Sequence, residues 1–287
     1  MSRVWFNGEL VDGLLPLDPR DRGLLLGDGL FETMLVVNRT PLWANMHLAR
    51  MEAAARELGL PFDRPAIDNA VAVVVDGLTE AHHVLRITLT RGAGARGLAG
   101  TGAKPSLLLT AEPFDPGLML QPATLLISTI RRSPASPAAR HKTLSYIDNI
   151  VAAREAHSRA MDDAVMLNTA GKVACTTIAN IFLLKDKTLI TPGRDQAILI
   201  GVTRQALIAC AHHAGLETQE RAVVTAELRE ADAVFLTNSL RLVRPVTALD
   251  GDPLATADLS PLVDALCEAA RLQCGRDPRV DLSRPQD

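Results

Sequence analysis

The stretch that decides the fold is ANIFLLKDKTLITPGRDQAILIGVTRQ, which occupies residues 179–205. Its first part continues a short apolar run and predicts a strand over residues 178–185. Its last five residues, GVTRQ, predict the start of a helix over residues 203–214, with a glycine before the first turn. Backbone N–H groups and the helix dipole make such a start a natural anion site, although most helix starts are merely capped.

The residues just before this strand are unusual for a segment that enters a core. VACTTIAN, residues 173–180, is a row of small and hydroxyl side chains that becomes an ordinary apolar strand only after Asn180. The simplest interpretation is a strand that follows a turn into the interior. A polar cradle for a ligand is the alternative, and it depends on what the rest of the chain offers.

The composition narrows the class of protein. Of 287 residues, 47% are apolar and 22% charged, which predicts a globular chain with room for two domains. A net charge of −3 and an aromatic content of 3% argue against nucleic acid as a partner. The apolar runs are too short to cross a bilayer, and the first ten residues lack the apolar part of a secretory signal. We therefore expect no membrane association and a cytoplasmic location.

Neither the cysteines nor the histidines form a metal motif. The four cysteines, at positions 175, 210, 267 and 274, contain no CxxC pair, which is typical of a reducing compartment. The histidine pairs at 82–83 and 212–213 have no acid or cysteine near them at metal spacing. The sequence therefore predicts no metal site.

Strands and helices alternate along the chain without an internal repeat, which predicts a mixed α+β fold. EPFDPGLMLQP, residues 112–122, is rich in proline and glycine and is the best candidate for a linker. We predict a small N-terminal α/β domain over residues 1–117, a linker over 118–122 and a larger C-terminal domain over 123–287. The predicted strands are 5–10, 29–37, 84–90, 106–111, 123–130, 164–167, 178–185 and 233–237. The predicted helices are 45–58, 66–78, 145–160, 203–214 and one at the C-terminus.

Two cationic residues are candidates for chemistry. Lys142, in ARHKTLSYIDNI, is either a solvated lysine or a Schiff-base lysine, whose amine must be desolvated or flanked by cations to react. Arg50 lies on one helix face with His47, away from the apolar stripe. That face is either solvated or presents an arginine fork to a phosphate.

A glycine-rich loop offers further cations. TRGAGARGLAG, residues 90–100, lacks the strand–GxGxxG–helix context of a dinucleotide site. It fits a flexible loop that carries Arg91 and Arg96 to an anionic substrate, and a plain surface hairpin is the alternative.

Taken in order, these motifs resemble the class IV aminotransferase family, the fold-type IV enzymes that use pyridoxal 5'-phosphate. The resemblance runs from FNGEL through GDGLFET to TNSLRLVRPV, and residues 179–205 carry its most specific part. It implies a two-domain α+β fold, with a smaller N-terminal α/β domain and a larger, cofactor-binding C-terminal domain built on a mixed, barrel-like sheet. It also implies a homodimer in which the loop of Arg96 and Leu98 completes the partner's site.

The resemblance also assigns roles to residues. Lys142 would form the Schiff base with the cofactor and then move protons. The phosphate would be bound by Arg50, Thr203 and the backbone N–H groups of Val202, Ile178 and Ala179. Where the family has a glutamate that pairs with the cofactor's ring nitrogen, this chain has Cys175, followed by Thr176. A neutral thiol favours the protonated ring far less than a carboxylate does, so restoring glutamate is expected to raise activity if this pair is limiting.

Four functions stay open at this stage. Glu32, beside Phe31 in GDGLFET, resembles the D-amino-acid aminotransferase branch, which moves an amino group between an amino acid and a 2-oxo acid. RGAGARG and FLTNSLRLVRP resemble 4-amino-4-deoxychorismate lyase, where Arg96 and Asn238 would face the substrate's carboxylates. The apolar Phe31 and Leu98 fit a branched-chain aminotransferase. A protein that binds the cofactor with weak turnover is the fourth. We favour the first, slightly ahead of the lyase.

Overall fold

A computed structural model describes residues 2–100, 104–280 and 282. These residues divide into two compact units, which are described separately below. The first unit holds the chain up to Asp115 together with His141–Ser145 and Gln273–Arg276, and the second holds the remainder. The sequence predicted a single domain boundary after residue 117. It did not predict that His141–Ser145 and Gln273–Arg276 belong to the first unit. No helix among the described residues is long and apolar enough to cross a membrane.

In its described part, the first unit contains one sheet and three helices. Its strands are β1 (Arg3–Phe6), β2 (Glu9–Leu10), β3 (Gly29–Val37), β4 (Thr40–Pro41), β5 (His82–Thr90) and β6 (Ser106–Pro113). Its helices are α1 (Arg22–Leu26), α2 (Ala44–Leu58) and α3 (Arg64–Asp76). The strands pair antiparallel in the order β2-β1-β6-β5-β3-β4.

The core of the first unit is the layer shared by α2, α3 and the sheet. In α2 the apolar residues recur every three or four positions, so Leu48, Met51 and Ala55 are all buried in one cluster. Strand β3 is buried along nearly its whole length, with only Thr33 partly exposed. A strand so enclosed holds its side chains in fixed positions, which suits it to carry functional groups.

The second unit contains a larger, mixed sheet. Its strands are β7 (Ala123–Arg132), β8 (Asp163–Asn168), β9 (Val173–Thr176), β10 (Asn180–Lys185), β11 (Thr188–Pro192), β12 (Glu217–Arg221), β13 (Ala233–Asn238), β14 (Leu242–Leu249) and β15 (Asp252–Pro253). Its helices are α4 (Pro137–Arg140), α5 (Ile147–Ser158), α6 (Val202–Ala211), α7 (Thr225–Glu230) and α8 (Ser260–Cys274), whose last two residues belong to the first unit.

The strand order of this sheet is β12-β11-β10-β13-β14-β7-β8-β9, with β15 paired to β14. Three pairings, β7 with β8, β7 with β14 and β11 with β12, are parallel. Three side-chain clusters fill the interior of the described residues: a large one from the central strands, a smaller one formed by α5 on β7 and β8, and a third formed by Ala174, Cys175 and Ile198. The chain is thus α+β, as the sequence predicts.

Several predicted elements need correction at their ends. The strand predicted at 178–185 begins at Asn180, because Thr176 and Ala179 close a turn with three hydrogen bonds between them. The helix predicted at 145–160 is Ile147–Ser158, and the strand predicted at 123–130 continues to Arg132. The predicted helix at 203–214 ends as an α-helix at Ala211 and continues as a single 3-10 turn, His212–Ala214.

Candidate active site

Strand β3 and helix α2 bring three charged or titratable side chains together in the first unit. Glu32 is 1% exposed and accepts hydrogen bonds from Arg50, Nε to Oε1 at 2.8 Å and Nη2 to Oε2 at 2.6 Å. His47 Nδ1 lies 2.7 Å from the same Oε2. The face of α2 that carries His47 and Arg50 is therefore packed on β3 rather than solvated, which corrects the simpler expectation.

The electrostatics of this group are set by its burial. Burial alone would raise the pKa of the Glu32 carboxyl, but Arg50 and His47 outweigh it and lower that pKa to about 2. Burial lowers the pKa of His47 despite the neighbouring carboxylate, so the imidazole is neutral at pH 7. Glu32 is thus a permanent buried anion. Both carboxylate oxygens of Glu32 bind Arg50. A contact between Glu32 and the substrate stays a prediction.

Lys142 lies beside this group because its backbone is attached to β3. The Phe31 N–H donates to the Lys142 carbonyl at 2.9 Å, and the Leu144 N–H donates to the Gly29 carbonyl at 3.0 Å. The Lys142 ammonium lies 4.1 Å from the centroid of the Phe31 ring, and the Arg86 guanidinium lies 3.9 Å from the same centroid. Both are cation–π distances.

The ammonium is destabilised at this position. Burial lowers the pKa of Lys142 to about 7, with Arg50 and Arg86 acting in the same direction and Glu32 in the opposite one. An ordinary lysine is almost wholly protonated at pH 7, whereas an amine of this pKa is neutral in a large fraction of molecules. Lys142 therefore has the reactivity that a Schiff-base nucleophile requires. Sequence inspection found Lys142 but missed Arg86, which no motif marks.

The glycine-rich loop is fastened to the same unit. Arg22 donates to the carbonyls of Gly97 and Leu98 at 2.8 and 3.0 Å. Arg96 and Leu98 themselves are exposed. Arg91 donates from Nε to Asp28 and from its other two nitrogens to backbone carbonyls of residues 58 and 59. Arg91 therefore supports the base of the loop, and its contact with substrate stays a prediction.

In the second unit, the stretch that holds Cys175 ends in a polar turn. The Ala179 N–H donates to the Thr176 hydroxyl at 3.1 Å, so this N–H, predicted to bind phosphate, is used inside the turn. Ile178 is exposed, while Thr176 and Thr177 are buried. Burial raises the pKa of the Cys175 thiol, and Asp163 adds to that shift against the opposing effect of Arg132. Cys175 is therefore a neutral thiol.

The start of α6 is built as an open anion site. Gly201 N–H donates to the Asn180 side-chain oxygen at 3.1 Å, and a Cβ on Gly201 would lie 2.1 Å from that oxygen. No side chain of the described residues caps this helix start. The Thr203 hydroxyl is buried and has no hydrogen-bond partner among the described residues. Uncapped N–H groups at Val202 and Thr203, together with this hydroxyl, fit a phosphate.

Asn238 has a structural task at the end of β13. Its side-chain oxygen accepts hydrogen bonds from the N–H groups of Leu240 and Arg241 at 3.1 and 2.8 Å. The side-chain amide nitrogen of Asn238 takes no part in these two bonds. Its contact with a substrate carboxylate stays a prediction. Among the residues that the structure describes, no three metal-binding side chains cluster.

The chain belongs to the family Amino-transferase class IV, whose profile matches residues 29–249. It is 28% identical to a bifunctional aminodeoxychorismate lyase / D-amino acid transaminase of Mycobacterium tuberculosis, over 93% of this chain and 98% of that protein. Its fold is similar to a branched-chain aminotransferase of Thermoproteus uzoniensis, with a TM-score of 0.86, 26% identity and coverage of 95% of both chains.

A third similarity concerns the cofactor. A hypothetical aminotransferase of Mycobacterium tuberculosis, solved in its pyridoxal-phosphate-bound form, matches with a TM-score of 0.85 and 27% identity, over 93% of this chain and 98% of that one. The chain is a pyridoxal-phosphate-dependent enzyme of this fold-type IV family. The reactive lysine of the first unit fits an aldehyde. Separately, the uncapped helix start of the second unit fits a phosphate.

Proposed function

We propose that this enzyme moves an amino group between a D-amino acid and a 2-oxo acid, with Lys142 as the residue that binds the cofactor covalently. The observation that carries the proposal is the lowered pKa of Lys142, about 7, beside a permanently ionised Glu32. Transamination requires one group that gives up the cofactor to the substrate and then moves a proton. A lysine that exchanges its proton near neutral pH does both.

Pyridoxal phosphate supplies an aldehyde that condenses with amines and a ring that accepts electrons. In our proposal the start of α6 binds its phosphate through the Val202 and Thr203 N–H groups and the Thr203 hydroxyl. Ile178, exposed at the turn, offers a further N–H. The role of Arg50 in phosphate binding is kept as a prediction, since Glu32 engages two of its three guanidinium nitrogens.

The substrate side of the proposal rests on Phe31 and on the loop that Arg22 holds. Phe31 presents an aromatic surface next to the Lys142 amine. Arg96 is exposed on the loop and offers a guanidinium to a carboxylate. Following the family resemblance, we propose that this loop acts in the partner subunit of a homodimer. The exposed leucines of the first unit support a protein interface: Leu24, Leu25, Leu26 and Leu98.

The experiment that tests the function is a spectroscopic titration of the purified holoenzyme. D-alanine and D-glutamate are added separately, and each titration is repeated with 2-oxoglutarate. We expect the visible band of the bound cofactor to disappear with the amino acid and to return with the oxo acid. A band that no amino acid changes would contradict transamination. L-leucine and L-valine serve as the comparison, and a faster response to them would indicate a branched-chain aminotransferase instead.

A lyase that releases pyruvate from aminodeoxychorismate is the second candidate. It is favoured by the neutral thiol at Cys175, because an elimination needs a weaker electron sink than transamination, since the expelled group removes electrons. The assay adds aminodeoxychorismate to the same holoenzyme and measures pyruvate. Pyruvate release with an inert band toward amino acids would replace the first candidate by the second.

The dimer proposal is tested by mixing two inactive variants. Lys142→Ala lacks the reactive amine, and Arg96→Ala lacks the loop arginine. If Arg96 acts in the partner's site, unfolding and refolding the two variants together restores about a quarter of wild-type activity per mole of chain, since half of the dimers are mixed and each has one complete site. Recovery would be absent if Arg96 serves the site of its own chain.

A further inference from the structure

The outer part of the glycine-rich loop is held by one buried arginine. Arg22, the first residue of α1, is 5% exposed. It donates from Nη1 to the Gly97 carbonyl at 2.8 Å and from Nη2 to the Leu98 carbonyl at 3.0 Å. Among the described residues, no other side chain forms a hydrogen bond with residues 95–100. The position of this part of the loop therefore depends on Arg22.

The third nitrogen of the Arg22 guanidinium is fixed by an acid. Its Nε donates to Asp28 Oδ2 at 2.8 Å, and the Arg91 Nε donates to the same oxygen at 2.8 Å. Burial would raise the pKa of the Asp28 carboxyl, but Arg91 and Arg22 outweigh it and lower that pKa. Asp28 is therefore an anion at pH 7, and it joins Arg22 to the residue at the base of the loop.

Helix α1 is itself fixed at the point where the loop leaves β5. Asp21, which is 0% exposed, accepts a hydrogen bond from the Gly23 N–H at 2.7 Å. Its other oxygen accepts from the hydroxyls of Thr90 and Ser106 at 2.9 and 2.6 Å. A Cβ on Gly23 would lie 2.3 Å from Thr90 Cγ2, so α1 approaches β5 as closely as a glycine allows. The backbone that carries Arg22 is thus anchored to the strands on both sides of the loop.

The loop that Arg22 holds turns its side chains outward. Arg96 is exposed, and Leu98 is 83% exposed. Four of the residues 91–100 are glycines, and glycine loses more conformational freedom than any other residue when it becomes ordered. If this loop became ordered only when a substrate bound, the entropic cost would weaken binding. The contact with Arg22 orders the backbone beforehand, at the two carbonyls that follow Arg96.

We propose that Arg22 is a positioning residue for Arg96: it fixes the loop backbone beside Arg96, so that the Arg96 guanidinium is oriented toward a substrate carboxylate before binding. An arginine suits this task because its planar fork fits two neighbouring carbonyls and a carboxylate at once, whereas the ammonium of a lysine is a point charge on a flexible chain. The carboxylate rests on the proposed function, whereas the contact between Arg22 and the loop does not depend on the reaction.

The hold on the loop is tested by limited digestion of the holoenzyme with trypsin. Trypsin cuts after arginine, and mass spectrometry distinguishes the cut between Arg96 and Gly97 from all others. We expect this cut to be about tenfold faster in Arg22→Gln than in the wild type, because local opening controls the proteolysis of a folded protein. Arg20→Gln is the matched control, since Arg20 is exposed and pairs with Asp18, and it should leave the rate unchanged.

The effect on the substrate is tested by calorimetric titration of the same holoenzymes with 2-oxoglutarate, which measures affinity without turnover. Arg22→Gln should weaken binding by about tenfold, because the charged hydrogen bonds to the carboxylate are no longer preorganised. Arg22→Lys should give an intermediate affinity. In an Arg96→Ala background, Arg22→Gln should cause no further loss, because a residue that acts through Arg96 then has nothing to position.

Three results would overturn the proposal: an unchanged cleavage rate in Arg22→Gln, faster cleavage with unchanged affinity, or an equal loss of affinity with and without Arg96. If Arg22→Gln does not fold, Arg22→Lys decides by the same criteria, with smaller expected changes. If the wild type and Arg96→Ala bind 2-oxoglutarate equally, the proposed role of Arg96 in the function fails, and this inference fails with it. If those two proteins differ and Arg22→Gln binds like the wild type, only this inference fails.

Discussion

Arg50 and Glu32 form a two-pronged ion pair across the first unit, with Nε and Nη2 of the arginine 2.8 and 2.6 Å from the two carboxylate oxygens. The pair joins α2 to β3, and β3 in turn holds Lys142 through its backbone. Because Glu32 is buried, its charge acts on Lys142 with little screening by water. The pair therefore joins α2 to the strand that holds Lys142, and its two charges modify the pKa of an amine that burial, the largest effect, has already lowered.

The first prediction concerns the pH dependence of cofactor attachment. Only the neutral form of the Lys142 amine attacks an aldehyde, and its pKa is about 7 rather than the ordinary 10.5. The rate at which the visible band appears after adding cofactor to apoenzyme should therefore rise with pH and level off above about pH 7. A rate that continues to rise toward pH 10 would show an ordinary lysine.

The second prediction concerns Glu32→Gln. Removing the carboxylate leaves the partly buried Arg50 without its Glu32 counter-ion, which should lower the free energy of unfolding at pH 7 by about 3 kcal/mol, the low end of the range for a buried pair. Because Glu32 raises the pKa of Lys142, the midpoint of cofactor attachment should also move below 7. Chemical denaturation and the attachment rate measure the two effects.

The acid side of the stability profile gives a check on the same residue. The folded pKa of Glu32, about 2, lies below its ordinary 4.5, so its contribution is fully present above about pH 4.5 and is lost as the pH falls toward 2. Glu32→Gln should lack this loss. Glu112→Gln, an exposed glutamate on β6, is the control and should behave as the wild type. Equal acid sensitivity in all three proteins would contradict the role of the pair.

The third prediction concerns Cys175→Glu. If the missing carboxylate alone limited the reaction, this change would raise activity strongly. With Asp163 already present, the new acid adds a second negative charge nearby, and one of the two carboxyls is expected to keep its proton. We therefore expect a gain below tenfold, which is less than about 1.4 kcal/mol of barrier. Steady-state kinetics against Cys175→Gln, whose side chain has the size of glutamate without its charge, measures the effect. A gain above tenfold would show that the missing carboxylate limits the reaction.

The fourth prediction separates stability from cofactor binding at α6. Thr203→Val removes a buried hydroxyl that has no partner among the described residues, so apoenzyme stability should be unchanged or slightly higher. Cofactor affinity should fall by about tenfold, because a hydrogen bond to a charged phosphate is lost. Thr237→Val removes a second buried hydroxyl of the same kind and should leave affinity unchanged. Equal affinities in the two variants would exclude Thr203 from the phosphate site.

The sequence was a good guide where the signal was local. The strand predicted at 29–37 has the same bounds as β3, and the helix predicted at 45–58 differs from α2 by one residue, because both have long, regular apolar patterns. Gly201 was recognisable because it precedes a helix start. The strands β11 and β12 were missed, since β12, ETQER, is polar and mostly exposed at a sheet edge and shows no alternation.

The site could be predicted only in part, for a physical reason. Lys142 stands in a recognisable segment, but its basicity depends on Glu32 and Arg86, which are brought to it by β3 and β5. Asp163 lies on a different strand from Cys175, so its contact with Thr177 exists only once β8 and β9 have paired. Both contacts join residues that are far apart in the sequence, so no short motif predicts them.

The most direct test of the account is to locate the covalent cofactor. The chain has five lysines, at positions 104, 142, 172, 185 and 187. Borohydride reduction of the holoenzyme fixes the Schiff base, and peptide mass spectrometry then identifies the modified lysine. The account predicts a single phosphopyridoxyl group on Lys142. A group on any other lysine, or none in a protein that still shows the cofactor band, would contradict it.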